Sequence, residues 1–357
     1  MTSPRLLTVI LVLCAACSTP TQDLSSPSRF PATTAPSAIQ TAPASPAASA
    51  AATPATTPDL AAVKLVEFPV GRGQHPHDVA PAVDGGVWYT AQSTGELGYL
   101  DPRTGATRMV RLGSGSSPHG VIVGPDGNPW ITDSGLNAIV RVDARTSEVT
   151  RYPLAGPNVN LNTATFDRNG TLWLTGQNGY YGYLKDGRVT VLPAPGGRGP
   201  YGISACPNGN VYYASLAASY IGAINLASTT VVTVDPPTKG QGARRVWCDS
   251  RSNVWVSEWN AGQLAQFQTE TGSTSWREWK LPGANPMAYA VYVDDQDIVW
   301  LTDFGANAIV RFDPRTEKFT SYPHAQSNAA VRQLLGRPGE VWGAMSGQDK
   351  LVLIRTR

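Results

Sequence analysis

The sequence predicts an all-β fold, a seven-bladed β-propeller with four-stranded blades, and three observations carry that prediction. An aromatic residue recurs at Trp88, Trp130, Trp173, Tyr212, Trp255, Trp300 and Trp342, with successive spacings of 42, 43, 39, 43, 45 and 42 residues. A period of roughly 40 to 45 residues with several short strands per unit is the signature of a propeller blade. Glycine (35), proline (29) and tryptophan (10) are plentiful, charged residues make up only 15%, and no long stretch has the 3.6-residue apolar period of an amphipathic helix. The last repeat also lacks a strand, and the missing pattern stands before the first repeat.

Taken in order, residues 1–17 read as an export signal. Arg5 supplies the positive end, and residues 6–13 form an apolar run too short to span a bilayer. The segment Leu13-Cys14-Ala15-Ala16-Cys17 is similar to a bacterial lipobox, with Cys17 as the cysteine to be lipidated and Cys14 where that motif usually has Leu. The expected location is the cell envelope, anchored to the outer side of the cytoplasmic membrane through Cys17, with simple secretion as the alternative. Residues 18–62 are almost wholly Ser, Thr, Pro, Ala and Gln. Such a composition cannot bury enough apolar surface to offset the entropy of ordering, so a disordered tether is expected.

Residues 63–357 hold the repeats. The second one reads as a strand at Gly120-Val121-Ile122-Val123, a turn at Pro125-Asp126-Gly127-Asn128, and a second strand from Trp130-Ile131-Thr132. A third follows at Ala138-Ile139-Val140-Arg141-Val142 and a fourth at Val149-Thr150-Arg151-Tyr152-Pro153-Leu154. After Trp342 only Lys350-Leu351-Val352-Leu353-Ile354 remains, whereas Val63-Lys64-Leu65-Val66-Glu67-Phe68-Pro69 has the form of a fourth strand. The N-terminal strand is therefore expected to complete blade seven and to pair the edges that an open array would expose.

Eleven residues before each aromatic lies the start of an innermost strand, at the rim of a funnel on one loop face, the top: His77, His119, Asn162, Tyr201, Arg244, Tyr289 and Val331. Three residues after each aromatic is a second column, Ala91, Asp133, Gly176, Ser215, Glu258, Asp303 and Met345. Polar groups converging in a concavity mark a candidate site. All four histidines, His75, His77, His119 and His324, fall in top loops of neighbouring blades. Of these, His75 and His324 read as ordinary loop residues. His77 and His119, with Asp133 as the acid, form the candidate catalytic group, because imidazole both binds metals and titrates near neutrality. Tyr201, Arg244, Glu258, Trp259, Tyr289 and Asp303 are candidate ligand-binding residues. Cys206 and Cys248 are a possible disulfide of adjacent blades, but Cys206 precedes its aromatic by six residues and Cys248 by seven, a mismatch expected to turn the side chains apart.

The pieces Pro118-His119-Gly120-Val121, Trp130-Ile131-Thr132-Asp133, Asn137-Ala138-Ile139-Val140-Arg141 and Tyr152-Pro153-Leu154 resemble the blade consensus of the streptogramin B lyases, the virginiamycin B lyase family. Trp255-Val256-Ser257-Glu258-Trp259 and Trp300-Leu301-Thr302-Asp303-Phe304 extend the resemblance. It implies a propeller, and for family lyases a magnesium-assisted elimination that opens a cyclic depsipeptide. That chemistry uses a histidine leading into blade six, a Glu-Pro-His segment leading into blade seven and a glutamate after the blade-seven aromatic. This chain has Tyr289, or Met287 after Pro286, at the first position, Ala329-Ala330-Val331-Arg332 at the second and Ser346 at the third.

The net charge of +2 arises from 28 basic and 26 acidic residues scattered without a basic stripe, so no nucleic-acid partner is expected. Two function classes remain. The first is an exported, monomeric propeller that binds a small-molecule ligand or an envelope protein on its top face. The alternative is a lyase or hydrolase assisted by Mg²⁺ or another divalent cation, acting on a cyclic ester or lactone-type substrate.

Overall fold

The computed structural model describes residues 63–269 and 275–357; the leader, Cys17 and the tether lie outside the described residues. The described chain is built of strands, arranged as seven four-stranded antiparallel sheets. Six blades take consecutive strands, spanning residues 76–111, 118–153, 161–193, 200–234, 243–280 and 288–323. The seventh takes Val331–Arg337, Glu340–Met345 and Lys350–Arg355, and its outer strand is Leu65–Pro69, paired from Leu65 with Ile354 to Pro69 with Lys350. The first strand of each blade packs against the first strand of the next, and the last against the first, so these strands line the axis of a closed ring. The chain is thus a seven-bladed propeller closed as the sequence predicts.

The recurring tryptophan has a local cause. In four blades its indole N–H donates to an aspartate of the turn before its strand, Trp130 to Asp126, Trp173 to Asp167, Trp255 to Asp249 and Trp300 to Asp294, and Trp342 donates to Glu340 at the start of its own strand, at 2.8–3.1 Å. The four aspartates also accept backbone N–H groups of their turns, as Asp167 does from Asn169 and Thr171. The ring itself packs between blades. Seven apolar clusters of described residues each join two neighbouring blades, for example Val79, Tyr89 and Leu100 of blade one with Trp342 and Leu353 of blade seven.

Every innermost strand carries a register shift at its top end, between Pro76 and Val79, Pro118 and Gly120, Leu161 and Ala164, Pro200 and Ile203, Ala243 and Arg245, Ala288 and Val291, and Val331 and Leu334. A bulge places extra residues in one strand and re-aims their side chains. The rim residue follows the first paired residue, which corrects one expectation. Val331 pairs with Met345 as Pro76 pairs with Ala91, so the blade-seven counterpart of His77 is Arg332, not Val331. The count of eleven fails there because blade seven turns tightly, pairing Arg337 with Glu340, where blade one pairs Pro81 with Val87.

A hydroxyl on the second strand locks most of these bulges. Thr90 Oγ1 accepts the Asp78 amide and donates to the His119 carbonyl of the next blade; Thr132 links Gly120 to Asn162, Thr175 links Thr163 to Tyr201, and Ser257 links Arg245 to Tyr289. Thr302 takes the Ala290 amide in the same way. Blades four and seven have Ala214 and Ala344 at this position and no such hydroxyl. Between blades seven and one, the Gln333 side chain takes the Val79 amide instead.

Between blades four and five lies the Cys206–Cys248 disulfide, with Cα atoms 5.2 Å apart. This overturns the expectation from register that the two side chains point apart. Cys206 lies one residue past the end of Pro200–Ala205, in a turn whose amide bonds to the Asn210 carbonyl, so it is released from the alternation that a strand would impose. Cys248 is the last residue of Ala243–Cys248, so both positions lie at the bottom ends of adjacent innermost strands, within bridging range.

Candidate functional site

The bulges bring two successive residues of each innermost strand to the axis. His77 and Asp78 are the blade-one pair, and both are buried. His77 Nδ1 donates to Asp78 Oδ1 at 2.8 Å, and Asp78 receives the Arg245 guanidinium from blade five at 3.0 Å. This ion pair spans the funnel. The His77 and His119 rings lie 3.8 Å apart between centroids. Thr163 donates to Asn162 Oδ1 at 2.6 Å, which turns the Asn162 amide N–H groups toward His119 Nε2 at 3.2 Å. His119 therefore accepts through Nε2 and carries its proton on Nδ1, a buried atom without a partner.

Electrostatics keep both rings neutral. Burial pushes the His77 pKa well below the ordinary value of 6.5, helped by the cationic Arg245, Arg332 and Arg244. Burial does the same to His119, joined by the neighbouring His77. Burial pushes the Asp78 carboxyl up while Arg245 pulls it down, with burial prevailing.

Across the axis from the histidines is an aromatic wall. Tyr201 and Tyr289, from blades four and six, share a hydroxyl–hydroxyl bond of 2.7 Å, and Arg244 donates to the Tyr201 oxygen at 2.8 Å. The Arg244 guanidinium carbon sits 3.6 Å from the Tyr289 ring centroid, 4.4 Å from that of Tyr201 and 4.8 Å from that of Trp259. Tyr289 also stacks on Phe304 at 4.6 Å, and Trp259 meets both rings edge-on. Arg244, Trp259, Phe304 and Arg332 are half-buried, whereas Tyr201 and Tyr289 are buried. Burial opposes ionisation of Tyr289, but Arg244, Arg245, the Tyr201 hydroxyl and Arg332 together hold its pKa below the ordinary tyrosine value.

The second column behaves differently from its sequence reading. Asp133 is buried and spends its carboxylate on its own loops, accepting from the Ser116 hydroxyl and from the Ser117 and Leu136 amides at 2.9 Å each. The acid that stands with His77 and His119 is Asp78, so Asp133 is replaced in that group. Asp303 accepts the Met287, Gly305 and Ala306 amides through one oxygen. Glu258 is buried, accepts from Gln263 at 2.6 Å, and has its pKa raised to about 8 by burial, so it is neutral at pH 7. Asp78, Arg245 and Arg332 were missed because the sequence count takes one residue per strand, whereas a bulge presents two; a count of both would have found them.

His75 bonds through Nδ1 to the Ser346 carbonyl at 3.0 Å, a loop contact. His324 follows the outer strand of blade six, and its amide bonds to the Asn307 carbonyl as Leu112, Leu154 and Leu281 bond in their blades. It occupies a leucine position, is buried, and has no partner for either ring nitrogen among the described residues. Burial lowers its pKa, so the folded protein binds fewer protons there than the unfolded chain does once the pH falls below 6.5. Stability is accordingly lost as pH drops through that range. His324→Leu should raise stability by about 1–2 kcal/mol at pH 7 by removing an unsatisfied polar group, and by more at pH 5.5. Urea unfolding at the two pH values measures this, and an unchanged pH slope would contradict it.

Among the described residues, His77, Asp78 and His119 are the group of His, Cys, Asp and Glu side chains that could share a metal, with ligand atoms within 4.8 Å of one another. The fit to Mg²⁺ is poor. That ion prefers an octahedron of oxygens, whereas two of these donors are imidazoles and the one carboxylate is already held by His77 and Arg245.

The fold and its funnel define a ring-closed propeller of the streptogramin lyase type. The chain belongs to the virginiamycin B lyase family, whose model matches residues 63–354. A streptogramin B lyase structure is similar with 23% identity and a TM-score of 0.76, over 82% of this chain and 97% of that one. Virginiamycin B lyase from Staphylococcus aureus, and its catalytically inactive variant with quinupristin, each match with 21% identity and a TM-score of 0.76, over 82% of this chain and 99% of theirs. At these identities the likeness is one of fold. No match is found among curated proteins.

Proposed function

We propose that this chain is an exported propeller of the cell envelope that binds a small molecule in the funnel on its top face. One observation carries the reading. Seven bulged strands aim hydrogen-bonding and aromatic side chains at one axis, Trp259 and Phe304 join them from just past the second strands of blades five and six, and Arg244, Trp259, Phe304 and Arg332 are only half-buried. A concave site with a few placed polar groups suits a small ligand. The exposed large apolar side chains, Val66, Val83, Val232 and Met287, are scattered singly and make no protein-docking patch among the described residues. Trp259 is a built-in reporter. A metabolite library screened by tryptophan fluorescence and thermal shift should yield binders whose effect disappears in Trp259→Ala and Phe304→Ala; binders indifferent to both changes would place the site elsewhere.

Anchoring through Cys17 is part of the proposal, supported by the lipobox-like segment and the polar tether behind it. Cys17→Ala should move the protein from the membrane to the soluble fraction. Wild-type protein already soluble in detergent-free extracts would refute it.

A second reading, metal-assisted lyase or hydrolase chemistry on a cyclic ester or lactone, is favoured by the His77, Asp78 and His119 donors. His77, oriented by Asp78 through Nδ1, would hold a lone pair at Nε2 as a base. Metal analysis of purified protein before and after chelation decides this: one divalent ion lost on chelation, and absent from His77→Ala and His119→Ala, would favour it.

A further inference from the structure

Three guanidiniums and one carboxylate surround the funnel axis. Arg245 is buried and paired with Asp78 across the ring. Arg244 and Arg332 have no carboxylate partner among the described residues. Arg332 and Arg244 hold in blades seven and five the register position that His77 and Tyr289 hold in blades one and six, at the axis end of a bulged strand, and both act electrostatically on His77 and Tyr289. Each also buries an Nε–H with no acceptor among the described residues. At the axis itself Asp78 is the carboxylate that faces these guanidiniums and it pairs with Arg245, while His77 and His119 are held neutral, so Arg244 and Arg332 stand there without a counter-charge of their own. The other nearby acids, Asp133 and Asp303, are engaged by amides of their own loops.

Half-buried guanidiniums left with unmade hydrogen bonds are unfavourable by themselves. They become favourable when an oxyanion supplies the missing acceptors, and the planar guanidinium fork suits carboxylate or phosphate geometry. Beside them is the aromatic cluster of Tyr289, Phe304 and Trp259, with the Arg244 guanidinium already over the Tyr289 ring. The aromatic faces and the cations therefore ask for two different parts of one ligand.

We infer that the funnel mouth is an oxyanion clamp: Arg332 and Arg244 take a carboxylate or phosphate group of a planar ligand whose apolar part lies against Trp259 and Phe304. This rests on the small-molecule reading above and narrows it to ligands of negative charge. It also differs from a divalent-cation site, since the same arginines repel a metal ion.

The test uses four probes in low-salt buffer, followed by Trp259 fluorescence and calorimetry: benzoate, its neutral isostere benzamide, phenyl phosphate and inorganic phosphate. Benzoate or phenyl phosphate should bind at least about tenfold more tightly than benzamide, with the preference lost in Arg332→Gln and partly kept in Arg332→Lys. The better of the two identifies the oxyanion, and inorganic phosphate binding as well as phenyl phosphate would remove the aromatic half of the proposal. Benzamide and benzoate binding equally, in wild type and Arg332→Gln alike, would overturn the clamp while leaving a small-molecule site in place. Failure of every anionic probe to bind would also overturn the clamp, whereas the small-molecule reading is judged separately by the library screen with Trp259→Ala. Because the Arg332 guanidinium makes no hydrogen bond among the described residues and buries an unpaired Nε–H, its substitution should not lower the melting temperature, which separates a binding defect from a folding one.

Discussion

Deletion of residues 63–69 should lower the unfolding free energy by about 3–5 kcal/mol and make the protein prone to associate. Its residues 65–69 are the outer strand of the sheet that closes the ring, paired with residues 350–354. Val63 and Leu65 pack against the cluster between blades six and seven, and Phe68 and Val70 against the one between seven and one. Phe68 also meets the Trp342 ring at 5.4 Å, and Glu67 holds Lys350 at 2.7 Å. Removing three partly buried apolar side chains, Val63, Leu65 and Phe68, together with the strand's hydrogen bonds accounts for the free energy. Leaving Leu351, Val352, Leu353 and Ile354 on an open edge accounts for association, because an unpaired apolar strand is a template for a second chain. Chemical unfolding and light scattering measure the two effects. The matched control is deletion of residues 18–61, whose composition predicts no effect on stability; equal losses in both deletions would refute closure by the N-terminal strand.

The ring was legible because its causes are local and repeat. In five blades a tryptophan finds a carboxylate for its indole N–H a few residues upstream, blade one keeps Trp88 without such a partner among the described residues, blade four has Tyr212, and these seven aromatic marks give seven sheets. The rim was legible only in part. Counting from the aromatic found His77, His119, Tyr201, Arg244 and Tyr289, which the structure does bring together. It did not find Asp78, Arg245 or Arg332, because a backbone bulge has no signature in side-chain spacing. It misassigned Asp133 for a related reason: a position at the inner end of a strand can serve the axis or the adjoining loop, and for Asp133 the decision comes from Ser116, Ser117 and Leu136, all outside its own strand. Geometry beyond the strand also decided the cysteines.

Breaking the Cys206–Cys248 bond should lower stability by about 4 kcal/mol, from the loop-closure entropy of two residues 42 apart in sequence. The location sharpens the expectation. At four interfaces a second-strand hydroxyl ties one blade's amide to the next blade's carbonyl, as Thr132 does from Gly120 to Asn162 and Ser257 does from Arg245 to Tyr289. Blade four has Ala214 at that position, so the contact between blades four and five lacks the tie, and there the disulfide stands. Cys206 and Cys248 are also members of the apolar cluster that joins these two blades. Reduction should therefore loosen one interface rather than the whole ring. Arg244 lies on blade five and reaches Tyr201 of blade four, so the loosened interface is one wall of the funnel. Cys206→Ser with Cys248→Ser, and reduced wild type, should share one lowered urea midpoint, and both should bind funnel ligands more weakly than oxidised protein does. Residues 63–357 contain no other cysteine, so thiol titration of this body in denaturant without reductant gives a direct answer: two free thiols would show that the bond does not form.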